Sequence, residues 1–238
     1  MDTDNTNVKT YTSDMLYDEL YNQIIHLELR PGDSLSEIET GKKYNLSRTP
    51  VRDVFKRLAS DGLVEIIPQK GTFISKIDLK GITTVLYLRD AIEKQILQEP
   101  ALYESPEAEF TIQLVLDAQL SVINDSSLTL EEKAIRFFDL DLKFHESIYQ
   151  LAGRIDVYNH SARSSARYER YRNFMNMQGE ANLMGLYQQH KSIWDSIASK
   201  RVESAQKLNH DHIYETFVAS AAAVNQHPEF FVHPFEEI

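Results

Sequence analysis

Four side chains in the C-terminal part of this 238-residue chain could meet at one metal ion. Asp141 and His145 stand four apart in the run Asp141-Leu142-Lys143-Phe144-His145. On a helix that spacing puts a carboxylate and an imidazole on one face. His190 and His212 follow on later segments, with His210 a close neighbour of the second. One carboxylate and three imidazoles, with no sulfur, suit a borderline divalent ion: Zn²⁺ first, with Ni²⁺ or Mn²⁺ as alternatives. Spacing alone favours a solvated or core role, because such pairs are common on helices. A second group is cationic. Arg48, Arg52, Lys56 and Arg57 lie largely off the apolar face formed by Val51, Val54, Phe55 and Leu58. A basic helix of that kind is either a solvated face or one that reads nucleic acid.

The elements around the basic stretch favour the second role. Leu16, Leu20, Ile24 and Leu27 recur at helical spacing after Ser13, a candidate cap, and Arg30-Pro31-Gly32-Asp33 stops that helix. Glu37–Lys43 reads as a short second helix and Tyr44-Asn45-Leu46 as a turn. A third helix opens with Thr49 as cap and Pro50 in its first position. Two extended runs, 63–67 and 72–75, are joined by Pro68-Gln69-Lys70-Gly71 as a hairpin. Three helices followed by a hairpin is the winged helix-turn-helix plan, whose second motif helix enters the DNA major groove.

From Leu79 onward six helices are expected, at about 82–98, 106–124, 130–151, 155–177, 184–199 and 201–224. Val85, Leu88, Ile92 and Ile96 would face inward on the first. The fold class is therefore mainly α: an N-terminal winged helix-turn-helix domain over 11–77 and an all-α antiparallel bundle over 80–224. An N-terminal stretch of 1–10, expected to be disordered, and a tail of 225–238 flank them. The interior of such a bundle is a natural place for a ligand or a metal.

Composition narrows the class. There are no cysteines, so neither a disulfide framework nor a thiolate metal site exists. The N-terminus is acidic and polar, unlike a secretory signal, and no apolar run approaches the roughly 20 residues of a membrane span. A cytoplasmic protein that does not cross a membrane is expected. The net charge of −11 is unevenly spread. Residues 30–76 hold nine Lys/Arg against six Asp/Glu, whereas 79–238 hold fifteen against twenty-three. A locally basic module on an acidic body suits a small DNA reader carried by a part that does not touch DNA.

The order of residues carries a resemblance. Arg30-Pro31-Gly32-Asp33-x-Leu35-x-Glu37, Leu46-Ser47-Arg48-Thr49-Pro50-Val51-Arg52-Asp53, Leu58-x-x-Asp61-Gly62-Leu63-Val64 and Gly71-Thr72-Phe73 closely resemble the GntR family of bacterial transcription regulators. The family usually has Leu-Ala where this chain has Thr40-Gly41. Asp141-x-x-Phe144-His145, His190-x-x-Ile193-x-x-Ile197 and Ala205 leading to His212-Ile213 look like the FCD effector domain of the same family, as does Leu88-Arg89-x-x-Ile92-Glu93. The resemblance implies roles residue by residue. Arg48 and Arg52 would read bases, since a guanidinium can grip guanine O6 and N7 with two parallel bonds. Ser47 and Thr49 would bond phosphate at the helix N-terminus, and Lys70 and Gly71 would approach the backbone or minor groove from the wing. Asp141, His145, His190 and His212 would be the metal ligands, His212 being preferred to His210 because an apolar residue follows it. Arg89 and Arg167 would bind the carboxylate of an effector, a small carboxylate or sugar acid. Arg154 stands where the family often has Asn.

These expectations describe a ligand-responsive repressor, acting as a homodimer on a pseudo-palindromic double-stranded operator. Two rivals remain at this stage. One is a metal-free regulator sensing an apolar acid; the other is a metal-dependent hydrolytic enzyme, since a metal with an open position can activate water.

Overall fold

The computed structural model describes residues 11–99, 106–162, 166–177, 182–218 and 220–232. The expected disordered stretch 1–10 lies outside them. The chain divides into two compact units, Met1–Lys76 and Ile77–Ile238.

In the first unit, α1 spans Ser13–Ile25, α2 Glu37–Tyr44 and α3 Arg48–Ser60. Strands β1 (Ser34–Leu35), β2 (Val64–Ile67) and β3 (Gly71–Ile74) form an antiparallel sheet in the order β1-β3-β2. The two-residue β1 was not expected; it is too short to show alternation and exists because β3 pairs with it, Ser34 opposite Phe73. The cap of α1 is Thr12 rather than Ser13, its hydroxyl accepting from Met15 N at 3.2 Å. Likewise α3 begins two residues earlier than expected, capped at Ser47. Pro50 therefore sits within the first turn, where an N–H would have no intrahelical partner in any case. Leu16, Leu20 and Ile24 of α1 close on Val51, Val54, Phe55 and Leu58 of α3, all buried. Between α2 and α3, Asn45 takes a left-handed conformation (φ 53°). A Cβ at position 41 would lie 2.7 Å from the Leu46 carbonyl oxygen, so Gly41 lets this turn close tightly.

The second unit contains α4 (Leu79–Ile96), α5 (Pro106–Asn124), α6 (Leu130–Leu151), α7 (Ile155–Val157), α8 (Ala166–Met177), α9 (Leu183–Ala198), α10 (Val202–Val218) and α11 (Ser220–Gln226). The single helix expected over 155–177 is instead the short α7, a π-helical turn Tyr158–Ala162, and α8. α5 packs on α6 and α9, and α10 on α9 and α4, while α8 contacts α6 and α4. Their apolar core includes Ile112, Leu116, Phe144, Ile148, Ile193, Trp194 and Ile197. Within the tail, a 3₁₀ turn Pro228–Phe230 leads to Phe231, which pairs with Ile77 in a β-bridge.

One correction bears on the site. Leu88 is 54% exposed, whereas Ile82, Leu86, Arg89, Glu93 and Ile96 form the buried face of α4. Hydrophobic periodicity assumes that charged residues face out, and here a charged pair faces in.

Candidate nucleic-acid interface and metal centre

On α3 the buried stripe turns inward, and Ser47, Arg48, Thr49 and Arg52 are exposed. Ser47 makes no side-chain capping bond, and the first N–H groups of α3 have no intrahelical partner, so this helix end suits an anion. Lys70 and Gly71 are exposed at the hairpin, where Gln69 (φ 63°) and Gly71 (φ 125°) turn the chain. Two arginines of α3 are held by carboxylates on other elements. Arg52 donates Nε and Nη2 to the two carboxylate oxygens of Glu37, each at 2.9 Å. Arg57 donates to Asp14 at 2.7 Å and lies 4.3 Å over the Tyr17 ring. Tyr17 in turn donates to Asp61 at 2.7 Å, so α1 and α3 are tied by polar contacts as well as by their core.

The second site is built on α6. A capping box at Thr129 and Glu132 starts that helix. Ala134, Phe137, Phe138, Asp141, Phe144, His145 and Ile148 then form one buried stripe at three- and four-residue steps. Asp141 and His145 lie inside that stripe. His190 on α9 and His212 on α10 are buried beside them, at 0% and 4% exposure. Ligand atoms of all four lie within 4.8 Å of one another. His212 Nε2 is 3.2 Å from His145 Nε2 and 3.3 Å from His190 Nε2, and His190 Nε2 is 3.2 Å from Asp141 Oδ1.

The surroundings fix how two of the rings are protonated. Gln119 donates its amide N–H to the Leu140 carbonyl, so its oxygen faces His190 and accepts from Nδ1 at 3.0 Å. Gln189 donates to Glu215, so its oxygen accepts from His212 Nδ1 at 2.8 Å. His145 Nδ1 lies 3.3 Å from Glu93 Oε2, though not in good hydrogen-bond alignment. With the protons of His190 and His212 on Nδ1, their Nε2 lone pairs face Nε2 of His145 and the Asp141 carboxylate across less than 4.8 Å. Burial, reinforced by the Arg89 charge and opposed by Glu93, pushes the His145 pKa down to about 4. Burial also lowers His190 despite the neighbouring Asp141 carboxylate, and it lowers His212 well below the ordinary value, with the two neighbouring imidazoles adding to the effect.

Lone pairs at such separations repel unless a cation sits among them. Zn–N bonds of about 2.0–2.1 Å at tetrahedral angles space neighbouring ligand atoms by about 3.3 Å, so the donor set fits a divalent ion. The neutral imidazoles of His190 and His212, each oriented through its other nitrogen, supply the arrangement usual around metal-bound histidine.

A buried ionic layer adjoins the cluster. Arg172 on α8 holds Asp141 with both ends of its guanidinium, Nη1 on Oδ2 and Nη2 on Oδ1, the latter at 2.6 Å. Burial alone would raise the Asp141 pKa, but Arg172 and His190 hold it well below the usual carboxylate range. Arg89 donates Nε to Glu93 at 2.5 Å and Nη1 to Tyr168 Oη at 3.0 Å. Glu93 also accepts from Asn209 at 2.9 Å. Against the penalty of burial, Arg89 and His145 hold Glu93 below its ordinary value. The Arg89 and Arg172 guanidiniums lie 5.7 and 5.9 Å from the Tyr168 ring centre.

Comparison with known proteins decides the family. A model of "Bacterial regulatory proteins, gntR family" matches residues 12–74, and a model of the FCD domain matches residues 84–215. The chain belongs to the GntR family. An uncharacterized HTH-type transcriptional regulator of Streptomyces ambofaciens is 29% identical over 228 residues, 95% of this chain and 92% of that protein. The HTH-type transcriptional repressor RspR of Escherichia coli K12 is 27% identical, over 84% of this chain and 85% of its own. A GntR structure from Rhodococcus sp. RHA1 superposes with a TM-score of 0.70 at 21% identity, covering 89% of this chain and 98% of that one, and so shares the fold. This GntR protein is a DNA-binding transcription regulator, and the hydrolytic-enzyme reading is set aside. No helix among the described residues is long and apolar enough to cross a membrane.

In this GntR chain the four expected ligand residues come together. His210 does not join them; it is exposed and pairs with Asp90 at 3.0 Å. Of the two expected effector arginines, Arg89 is buried in the ionic layer and Arg167 is exposed. Arg170 and Arg172 are both buried on α8, and Arg172, five residues beyond Arg167, is the one that meets Asp141. Sequence reading missed it because the bend after α6 breaks the period by which one would assign faces on α8. Arg154 pairs with Glu99 at 2.8 Å and takes no part in the cluster. Gln119 and Gln189 carried no motif signal.

Proposed function

We propose that this protein is a metal-dependent, carboxylate-sensing repressor. Asp141, His145, His190 and His212 would hold a divalent metal, with Zn²⁺ preferred over Ni²⁺ or Mn²⁺. The observation that carries this reading is the convergence of three imidazole Nε2 atoms and a carboxylate oxygen in a fully buried site. When bound, the ion supplies a Lewis-acidic position for an oxygen of the effector. The chain's own residues do the rest. Gln119 and Gln189 keep two of the imidazoles turned inward, and Arg89 and Arg172 offer guanidiniums beside the cluster. An arginine released from its internal carboxylate can take the effector's carboxylate with two parallel bonds. A small carboxylate or sugar acid suits this polar interior better than an apolar acid does.

On the DNA side, Ser47, Arg48, Thr49, Arg52, Lys70 and Gly71 would form the interface. Two chains would pair to place two reading helices on a pseudo-palindromic operator. An effector with different affinity for the two arrangements of such a dimer changes operator affinity. Repression is the direction borne by the name of the relative RspR.

One observation favours a metal-free variant of this reading: Asp141 already has a full partner in Arg172. Elemental analysis of protein purified without chelators separates the two. About one metal per chain, lost on Asp141→Ala, supports the metal reading, whereas metal far below that level removes it. A thermal-shift panel of sugar acids and dicarboxylates, run before and after metal removal, then identifies the effector class.

A further inference from the structure

In the DNA-binding unit, we propose that Glu37 sets sequence selectivity by holding Arg52 in one orientation while offsetting charge that would bind any duplex. This rests on α3 being the reading helix. Glu37 is the first residue of α2, and its backbone is pinned by the Ser36 cap, whose hydroxyl accepts from Glu39 N at 3.3 Å. From that fixed point its carboxylate accepts Arg52 Nε and Nη2 at 2.9 Å each. A guanidinium carries five N–H groups. This fork uses the one on Nε and one on Nη2, leaving both on Nη1 and the second on Nη2. Those form the end edge of the plane, the edge that matches guanine O6 and N7. The Arg52 side chain is 56% exposed, so that edge faces solvent.

Two consequences follow, and they have opposite signs. A held guanidinium offers its edge in one place and loses little rotamer freedom on binding the right base, which favours the preferred sequence only. A carboxylate beside Arg52, and within the field of Arg48 and Lys56, weakens attraction to phosphate on every sequence alike. Both raise the ratio of specific to non-specific binding. Removing Glu37 should therefore weaken the preferred complex and strengthen the indiscriminate one. An ordinary surface ion pair, worth about 0–1 kcal/mol, would leave both unchanged.

The test uses the full-length protein. A preferred duplex is selected from a pool with a randomised centre, and a shuffled duplex of equal length serves as control. Binding of wild type, Glu37→Gln, Glu37→Asp, Arg48→Ala, Arg52→Ala and the Glu37→Gln/Arg52→Ala pair is measured at about 50 and 200 mM salt. Glu37→Gln is expected to lose about fivefold on the preferred duplex and gain about threefold on the shuffled one at low salt. Glu37→Asp keeps the charge but shortens the reach, so it should lose selectivity without that gain. In the Arg52→Ala background Glu37→Gln should cost no further selectivity. Equal shifts on both duplexes, or no shift, for Glu37→Gln would overturn the proposal. Should that variant not fold, Glu37→Asp decides: retained selectivity would overturn it. The two ideas separate cleanly. If Arg52→Ala and Arg48→Ala both keep full selectivity, the reading-helix assignment fails; if Arg52→Ala loses selectivity and the Glu37 variants do not, only the role of Glu37 fails.

Discussion

Asp141 and His145 are four residues apart, but their chemistry comes from what surrounds them. Two imidazoles are turned by side chains from other positions, Gln119 for His190 and Gln189 for His212, while His145 Nδ1 lies 3.3 Å from Glu93. Gln119→Leu should lower metal affinity by about 10- to 100-fold without unfolding the protein, as orienting partners of metal-bound histidines generally do. Competition with a chromophoric chelator measures it. His212→Ala should abolish stoichiometric metal, and His210→Ala should leave it intact, both read by elemental analysis. The same burial makes an acid-sensitive stability. His145 titrates at about 4 in the folded chain, and His190 and His212 are lowered too, so the unfolded chain binds more protons below the ordinary histidine value of about 6.5. Stability from these groups is present above that value and is lost as pH falls toward 4. The thermal midpoint of the metal-free protein should therefore decline steadily through this window. A constant midpoint would contradict neutral buried imidazoles.

At the scale of elements, helix existence and helix facing follow different rules. The run from Leu130 to Leu151 announced itself through an apolar stripe, and its start is set by the Thr129–Glu132 box. Thr129→Ala should cost about 1 kcal/mol, seen as a lower chemical-denaturation midpoint of the helical unit. α4 behaves otherwise. Its length was readable, but its inner face was not, because Arg89 and Glu93 neutralise one another and are buried together at 9% and 3% exposure. A buried pair broken from one side is costly, about 3–5 kcal/mol, so Glu93→Ala should destabilise far more than Leu88→Ala on the exposed side. The break after α6 is similar. A continuous helical pattern over 155–177 conceals a π-helical turn, and the phase of α8 shifts from what a straight helix would give. Arg172 therefore faces the cluster, and Arg167 faces away.

For the whole molecule, metal and stability are linked. A ligand that binds only the folded state adds about 2.7 kcal/mol at a hundredfold excess over its dissociation constant. Zn²⁺ should raise the midpoint of the helical unit and leave that of the DNA-binding unit unchanged. Differential scanning calorimetry with and without metal, resolving the two transitions, tests this. In solution, a duplex bearing the operator should bind two chains, as sedimentation of the complex would show; one chain per duplex would remove the homodimer.

Much of this was legible in the chain itself. The ordered blocks from Arg30 to Phe73 determine the DNA-binding plan, because turn glycines, caps and apolar steps are local requirements that few residue types meet. The absence of cysteine, the basic module on an acidic body and the ligand types at 141, 145, 190 and 212 are likewise properties of the sequence. The tertiary structure alone decided which arginine meets Asp141, which oxygens orient the histidines, and that Glu37 grips Arg52 from fifteen residues away. Those pairings depend on helix phase and on contacts between distant segments, where charges cancel only after the chain has folded. Periodicity sees one residue's hydropathy at a time and cannot register a pair that is buried because it is matched.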